Sequence, residues 1–134
     1  MIALTKGLLG FYVSRLRKNY PGYFLEFWPY ISLSILAAFL DFLTTWRFMR
    51  DGSVYDELHP VIRFVSIMAG PFLGPLIGKI CQLLALGFLT ITFREAARII
   101  FIPIILIYFY GAWYNTWGIY LYTPLFMRLF SIST

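Results

Sequence analysis

Between Phe64 and Phe93 the chain runs for 30 residues with a single charged side chain, Lys79. As one straight helix that run would be about 45 Å long, half again the roughly 30 Å of a bilayer's hydrocarbon core. It is too long for a simple crossing, so something must break it. Gly70-Pro71 and Gly74-Pro75 are the obvious places, because each proline lacks a backbone donor and disfavours helical geometry in the residue before it. The run therefore reads as a short interfacial or re-entrant helix over Val61 to Ala69, followed by a membrane span over about Pro71 to Thr92.

Two more apolar runs accompany it. The first extends from Trp28 to Arg47 with Asp41 as its only internal charge. Trp28 and Trp46 stand 18 residues apart, roughly 27 Å along a helix, which suits an indole at each bilayer interface. The other runs from about Ile99 to Gly118 without a charge, with Pro103 in its first turns and Trp113 and Trp117 near its far end. Three spans in a chain of 134 residues leave no room for a large soluble catalytic domain. Charged residues make up 13%, against about 25% in soluble domains. The expected class is an all-α integral membrane protein: a three-helix transmembrane domain over residues 28–118, an N-terminal amphipathic helix and the short interfacial or re-entrant helix.

The formal net charge of +5 comes from 11 basic and six acidic residues placed mostly outside the apolar runs, which argues against nucleic acid as a partner. Cys81 is the one cysteine, so no disulfide framework forms within the chain and the redox compartment is not readable from it.

The flanks are different in character. In residues 1–20 the apolar stretch Leu8 to Val13 is short, and Ser14-Arg15-Leu16-Arg17-Lys18 stands where the small residues of a cleavage site belong, so the segment is expected to be retained. At 100° per residue, Leu4, Leu8, Leu9, Phe11, Tyr12 and Leu16 share one face, with Lys6, Ser14, Arg17 and Lys18 opposite. That pattern suits a helix lying on anionic lipid; a frayed basic tail that merely obeys topology rules is the plainer alternative. Tyr20-Pro21-Gly22 ends it. Residues 119–134 form an aromatic tail containing Pro124 and Arg128, expected to lie on the membrane surface.

Topology is read from basic residues near the spans. Lys6, Arg15, Arg17, Lys18, Arg94 and Arg98 fall on the side of the N-terminus; Arg47, Arg50, Arg63 and Arg128 fall on the other. Six against four predicts a cytoplasmic N-terminus, in a prokaryotic inner or intracytoplasmic membrane.

Ionisable groups inside spans are costly and normally face protein or water. Asp41 lies six residues before Arg47 and Lys79 eight after Pro71, placing them roughly 9 and 12 Å below the outer interface. Their matched depth predicts an ion pair between the first two spans, a clamp more readily than a proton or ion relay, with the hydroxyls of Thr44 and Thr45 beside it and Asn115 hydrogen-bonding into the cluster. Gly70, Gly74 and Gly78 recur every four residues and predict a stripe of close helix packing, at which a partner helix is expected.

The loop from Arg50 to Pro60 carries three of the six acids and the only histidine. His59 beside Asp56 and Glu57 has the chemistry of a metal, haem or chlorophyll ligand, yet a lone histidine closes no structural zinc site. Capping or loop stabilisation is the expected role, with Pro60 at the first position of a helix. No Ser-His-Asp set, phosphate-binding glycine loop or pair of catalytic carboxylates can be assembled, so the chain reads as a non-enzyme with no assignable cofactor or metal. The 28 aromatic residues (14 Phe, 10 Tyr, 4 Trp) suit lipid belts, bulky partner surfaces or packing on pigment or quinone.

The order Asp41-Phe42-Leu43-Thr44-Thr45, Gly52, Glu57-Leu58-His59-Pro60, Lys79 and Asn115 resembles a family of small prokaryotic membrane proteins of unknown function. That family has an Asp-x-x-x-Thr span, a Glu-x-Asn-Pro loop and a lysine in the next span; His59 stands where it has Asn. The resemblance covers about residues 30 to 118. It implies a compact three-helix unit in which Asp41, Glu57 and Lys79 face one another, and it carries no activity.

The leading expectation is a non-catalytic accessory subunit of a larger integral membrane hetero-complex, in a bioenergetic setting such as a respiratory, photosynthetic or monooxygenase assembly, with other membrane subunits and lipid as its partners. The rival is a small homo-oligomeric carrier or channel for an ion or solute that uses Asp41 and Lys79. A third class is a membrane enzyme or metal-binding factor centred on His59.

Overall fold

The computed structural model describes residues 2–57 and 59–118. Met1, Leu58, the aromatic tail over residues 119–134, and the side chains of residues 2–6, Leu8, Leu9 and Asp56 lie outside the described residues. Within these the chain is helical and contains no strand: α1 (Ile2–Asn19), α2 (Tyr23–Asp51), α3 (Pro60–Thr92) and α4 (Ala97–Trp113), the last continued by a π-helical turn over Tyr114–Gly118. Single 3₁₀ turns, Val54–Asp56 and Arg94–Ala96, lie in the two connections that follow α2 and α3. Three stretches, Tyr23–Asp51, Pro60–Thr92 and Arg94–Trp117, are long and apolar enough to cross a membrane.

The first span is longer than the run between its bounding charges. Gly22 adopts φ 74°, a left-handed turn that separates α1 from α2. From there α2 continues through Glu26 and Pro29 and past Arg47 to Asp51. Charges mark where a helix reaches water, not where its hydrogen bonding stops, which is why the sequence bounds fall inside the helix.

The long apolar run breaks at Gly70, whose φ of 91° and ψ of 168° are open only to glycine. The chain does not merely kink there; it doubles back. A Cβ placed on Gly74 would run into the backbone and side chain of Ser66, and one on Gly78 would lie 3.1 Å from Ile62. Residues eight and sixteen apart meet in this way only if the short arm, 60–69, lies antiparallel along the start of the long arm, 71–92. Gly74 and Gly78 thus face the short arm of the same chain, while Gly70 is the break itself and has no neighbour within 4 Å. Both arms must be close for this contact, and small residues on the long arm allow it.

α2 is the central element: α3 and α4 each pack along it and touch one another much less. At the end of the bundle nearest α1 the core is aromatic and aliphatic, with Tyr23, Phe27, Phe101, Ala97 and Leu86 buried. The rings of Phe27 and Tyr30 lie 6.2 and 5.8 Å from that of Phe101. At the other end buried polar groups join an aromatic contact of Phe42 and Trp46 with Phe72.

Among the described residues of α1, Tyr12 and Leu16 are half-buried whereas Phe11 is exposed. Tyr12 reaches α3, its ring 6.0 Å from Phe88. Asn19 at the end of α1 donates to the carbonyls of Ile91 and Thr92, at 2.9 and 3.1 Å, capping the last turn of α3, where carbonyls lack helical donors.

Candidate functional site

Asp41, about one turn past the buried Ala37 on α2, and Lys79, two turns into the long arm of α3, form a hydrogen-bonded ion pair. Each is only 7% exposed. Such burial is tolerable because each group is paired and hydrogen-bonded. Gly111 on α4 admits the carboxylate: a Cβ at that position would stand 2.8 Å from Asp41 Oδ1. Lys79 also donates to Gln82 Oε1 at 3.3 Å and sits 4.7 Å from the centre of the Tyr108 ring, a cation–π distance. Tyr108 donates its hydroxyl proton to the same Gln82 oxygen at 3.2 Å. Three helices therefore meet at one ammonium group.

Further toward the hairpin turn, the π-helical turn presents Asn115, whose Nδ2 donates to Thr45 Oγ1 at 2.9 Å and lies 3.5 Å from Thr44 Oγ1. Thr44 donates back to the carbonyls of Leu40 and Asp41. Thr44 thus binds Asn115 and its own helix and Thr45 binds Asn115, and among the described residues neither hydroxyl hydrogen-bonds to the ion pair.

The loop after α2 does not stay at the surface end of the bundle. Ser66 lies against Gly74 and Ile62 against Gly78; continued by one more turn, this antiparallel register brings residues 57–59 level with Lys79 and Gln82. One cavity of about 760 Å³ is accordingly lined by Asp41, Lys79, Glu57, His59, Thr45 and Asn115 together. His59 ends the loop as the N-cap of α3, its Nδ1 3.4 Å from the Ile62 amide, while Glu57 Oε1 accepts from the His59 amide at 2.9 Å. The histidine ring nitrogen that faces the helix is occupied by the cap. No group of three His, Cys, Asp or Glu side chains converges among the described residues, which leave out the side chain of Asp56.

Gln82 and Tyr108 escaped the sequence reading. Gln82 stands three residues after Lys79, on the same helix face, and Tyr108 stands seven before Asn115, two turns away on theirs; those spacings were the available signal. A second polar constellation was also missed. At the opposite end, Arg94 Nε and Nη2 donate to Glu26 Oε2 at 3.0 and 2.6 Å, and its Nη1 donates to the carbonyls of Asn19 and Pro21 at 2.8 and 2.9 Å. One guanidinium thereby ties the α3–α4 turn to α2 and to the α1–α2 turn. Nearby, the Tyr23 hydroxyl and Thr90 Oγ1 share a buried hydrogen bond of 2.5 Å.

Comparison with family models, with curated proteins and with solved structures finds no match to this chain.

Proposed function

We propose that the chain is a non-catalytic subunit docked in a larger integral membrane assembly, with its N-terminus on the cytoplasmic side and the short arm of α3 re-entering the bilayer. The observation that carries this reading is how little of each span the chain itself covers. Only 33%, 22% and 22% of the most apolar stretches of α2, α3 and α4 are buried internally, and large side chains such as Trp28, Phe39, Phe64 and Tyr110 face outward. The polar residues close on one another: the ammonium of Lys79 meets Asp41, Gln82 and the Tyr108 ring without lining a continuous path. The outward faces of the three helices suit neighbouring helices and lipid. The resemblance to a family of three-helix membrane proteins supports the same unit but supplies no activity.

Purification in mild detergent tests the proposal. A stoichiometric set of other integral membrane proteins is the expected result. A homogeneous homo-oligomer that moves a solute across liposomes rejects it. A cysteine at Ser53, in a Cys81→Ser background, should react with an impermeant reagent from the side opposite to a cysteine at Lys18.

One observation favours the rival carrier reading. The short arm of α3 begins at the depth of the ion pair, and interrupted helices ending at midplane polar groups are the usual construction of transporter binding sites. Ion or solute flux through the purified chain alone, lost in Lys79→Met, would establish that reading in place of the first.

A further inference from the structure

We infer that the groove between the α1-proximal halves of α2 and α3 binds one uncharged lipophile whose carbonyl, carried on a flat ring, accepts a hydrogen bond from the Ser34 hydroxyl. Such binding is independent of docking in a larger assembly.

A hydroxyl inside a span has no water to turn to, and the usual solution is a bond back to a carbonyl of its own helix. Thr44, Thr90, Thr92 and Thr116 do this, each donating to the carbonyl four residues before it at 2.7–3.0 Å. Ser34 does not. It is 1% exposed, and its Oγ is buried with no hydrogen-bond partner among the described residues. Ser66 Oγ shares that condition but is shut against Gly74, whereas Ser34 lines a groove of about 420 Å³, within the range of small-molecule sites. Tyr23 lines the same groove, but its hydroxyl is engaged with Thr90. Ser34 thus has a donor to spare, and a buried donor left unmet is costly.

Depth and shape set what meets that donor. Ser34 lies eight residues after Glu26 and 13 before Arg47, roughly 12 and 20 Å along the helix. It therefore stands in the hydrocarbon core, away from the interface that holds the phosphates and esters of lipids. An acceptor at that depth belongs to a molecule dissolved in the core. The rest of the described lining is hydrocarbon, Ile31, Leu83 and Leu86 among it, where a charged head would lose its water for one neutral hydroxyl, so the acceptor is uncharged. Phe24, Phe88 and Phe101 line the α1 end of the groove and offer faces and edges to a flat ring. The lining spans residues 23–35 of α2 and 80–91 of α3, roughly 16–18 Å, long enough for a ring with a short chain. A helix over 15 Å of that length, at a diameter near 10 Å, would displace roughly 1,200 Å³, far more than the groove holds. Phe24, Ile35, Ile80, Leu84 and Phe88 around it are 47–68% exposed, so entry is sideways from the bilayer.

The chain in phosphatidylcholine nanodiscs, titrated with para-decylacetophenone and with para-decylethylbenzene, which carries a methylene in place of the carbonyl, tests the inference. One ketone per chain is expected, bound about tenfold more tightly than the hydrocarbon, the worth of one buried hydrogen bond. An isotope-labelled carbonyl should show a hydrogen-bonded infrared band that is absent from empty nanodiscs. Ser34→Ala should remove that band and that preference while leaving the affinity for the hydrocarbon unchanged, and it should unfold no earlier than the parent chain because it deletes an unmet donor. Gly87 lines the groove, and a Cβ added there meets nothing within 4 Å; Gly87→Phe should therefore fold, fill the space and exclude both probes. Equal affinity for the two probes, a band or preference that survives Ser34→Ala, binding indifferent to Gly87→Phe, or no binding by folded protein overturns the inference.

Discussion

The two ends of this bundle solve the same packing problem with opposite materials. Near α1, α2 and α4 meet through the rings of Phe27, Tyr30 and Phe101; the charged groups there form a rim, where Arg94 gathers Glu26, Asn19 and Pro21, and the buried polar contact is the neutral one between Tyr23 and Thr90. Near the hairpin, three helices converge on the charge of Lys79, and the space between them stays open as a cavity. In hydrocarbon the hydrophobic effect hardly drives helices together, so association rests on close packing and on hydrogen bonds. The aromatic end uses the first and the charged end the second. Packing tolerates small losses. A buried charge does not, because removing its partner strands it.

The sharpest way to break the charged end is through the hairpin that delivers the loop to it. In Gly74→Leu the new side chain would have to occupy the position of Ser66, and the backbone on both sides leaves it nowhere to go. The short arm should detach, carrying Glu57 and His59 away. We expect a loss of stability beyond about 4 kcal/mol, at the extreme of point mutations, with the helical content of the α1 end kept. Limited proteolysis should then cut between residues 52 and 70. Gly78→Leu should be milder, since its neighbour is the movable end of Ile62.

Next in size is the ion pair itself. Lys79→Met leaves Asp41 buried at the packed contact with Gly111 and should cost about 3–5 kcal/mol, whereas Asp41→Leu combined with Lys79→Met should cost less than either single change. Reversible unfolding in mixed micelles measures all three. A double variant weaker than both singles would show that the pair is more than a clamp and that its charges serve the cavity.

Much of this contrast can be read from sequence, and the reasons for the rest are physical. Counting residues from Arg47 and Pro71 puts Asp41 and Lys79 at similar depth because a helix has a fixed rise, and in the structure they lie side by side. Gly70-Pro71 marks a break because both residues act locally. The direction of the break is not local: whether the arms diverge or fold together depends on Ser66 meeting Gly74, and glycine spacing describes a smooth face without saying what covers it. The Arg94 cluster was hidden for a similar reason, since Asn19, Glu26 and Arg94 are brought together by the crossing of four helices and share no periodicity. The three apolar runs, by contrast, carry their meaning in length and composition alone.

The smallest expected effect sharpens the comparison from the aromatic end. Arg94 makes four hydrogen bonds, yet its side chain is 27% exposed and that of its partner Glu26 is 41% exposed. Both therefore lie where water can replace what is lost. Exposed pairs contribute roughly 0–1 kcal/mol, and the carbonyls of Asn19 and Pro21 would be rehydrated once the guanidinium is removed. Arg94→Ala should accordingly cost about 1 kcal/mol, several-fold less than Lys79→Met, despite deleting more contacts. Arg94→Lys should recover only part of that loss, because an ammonium cannot reproduce the fork that spans one carboxylate and two carbonyls. Unfolding midpoints of the two variants, measured beside Lys79→Met, decide the matter. If Arg94→Ala proves as damaging as Lys79→Met, the turn it ties is a folding constraint for the whole bundle, and the number of bonds would matter more than their burial.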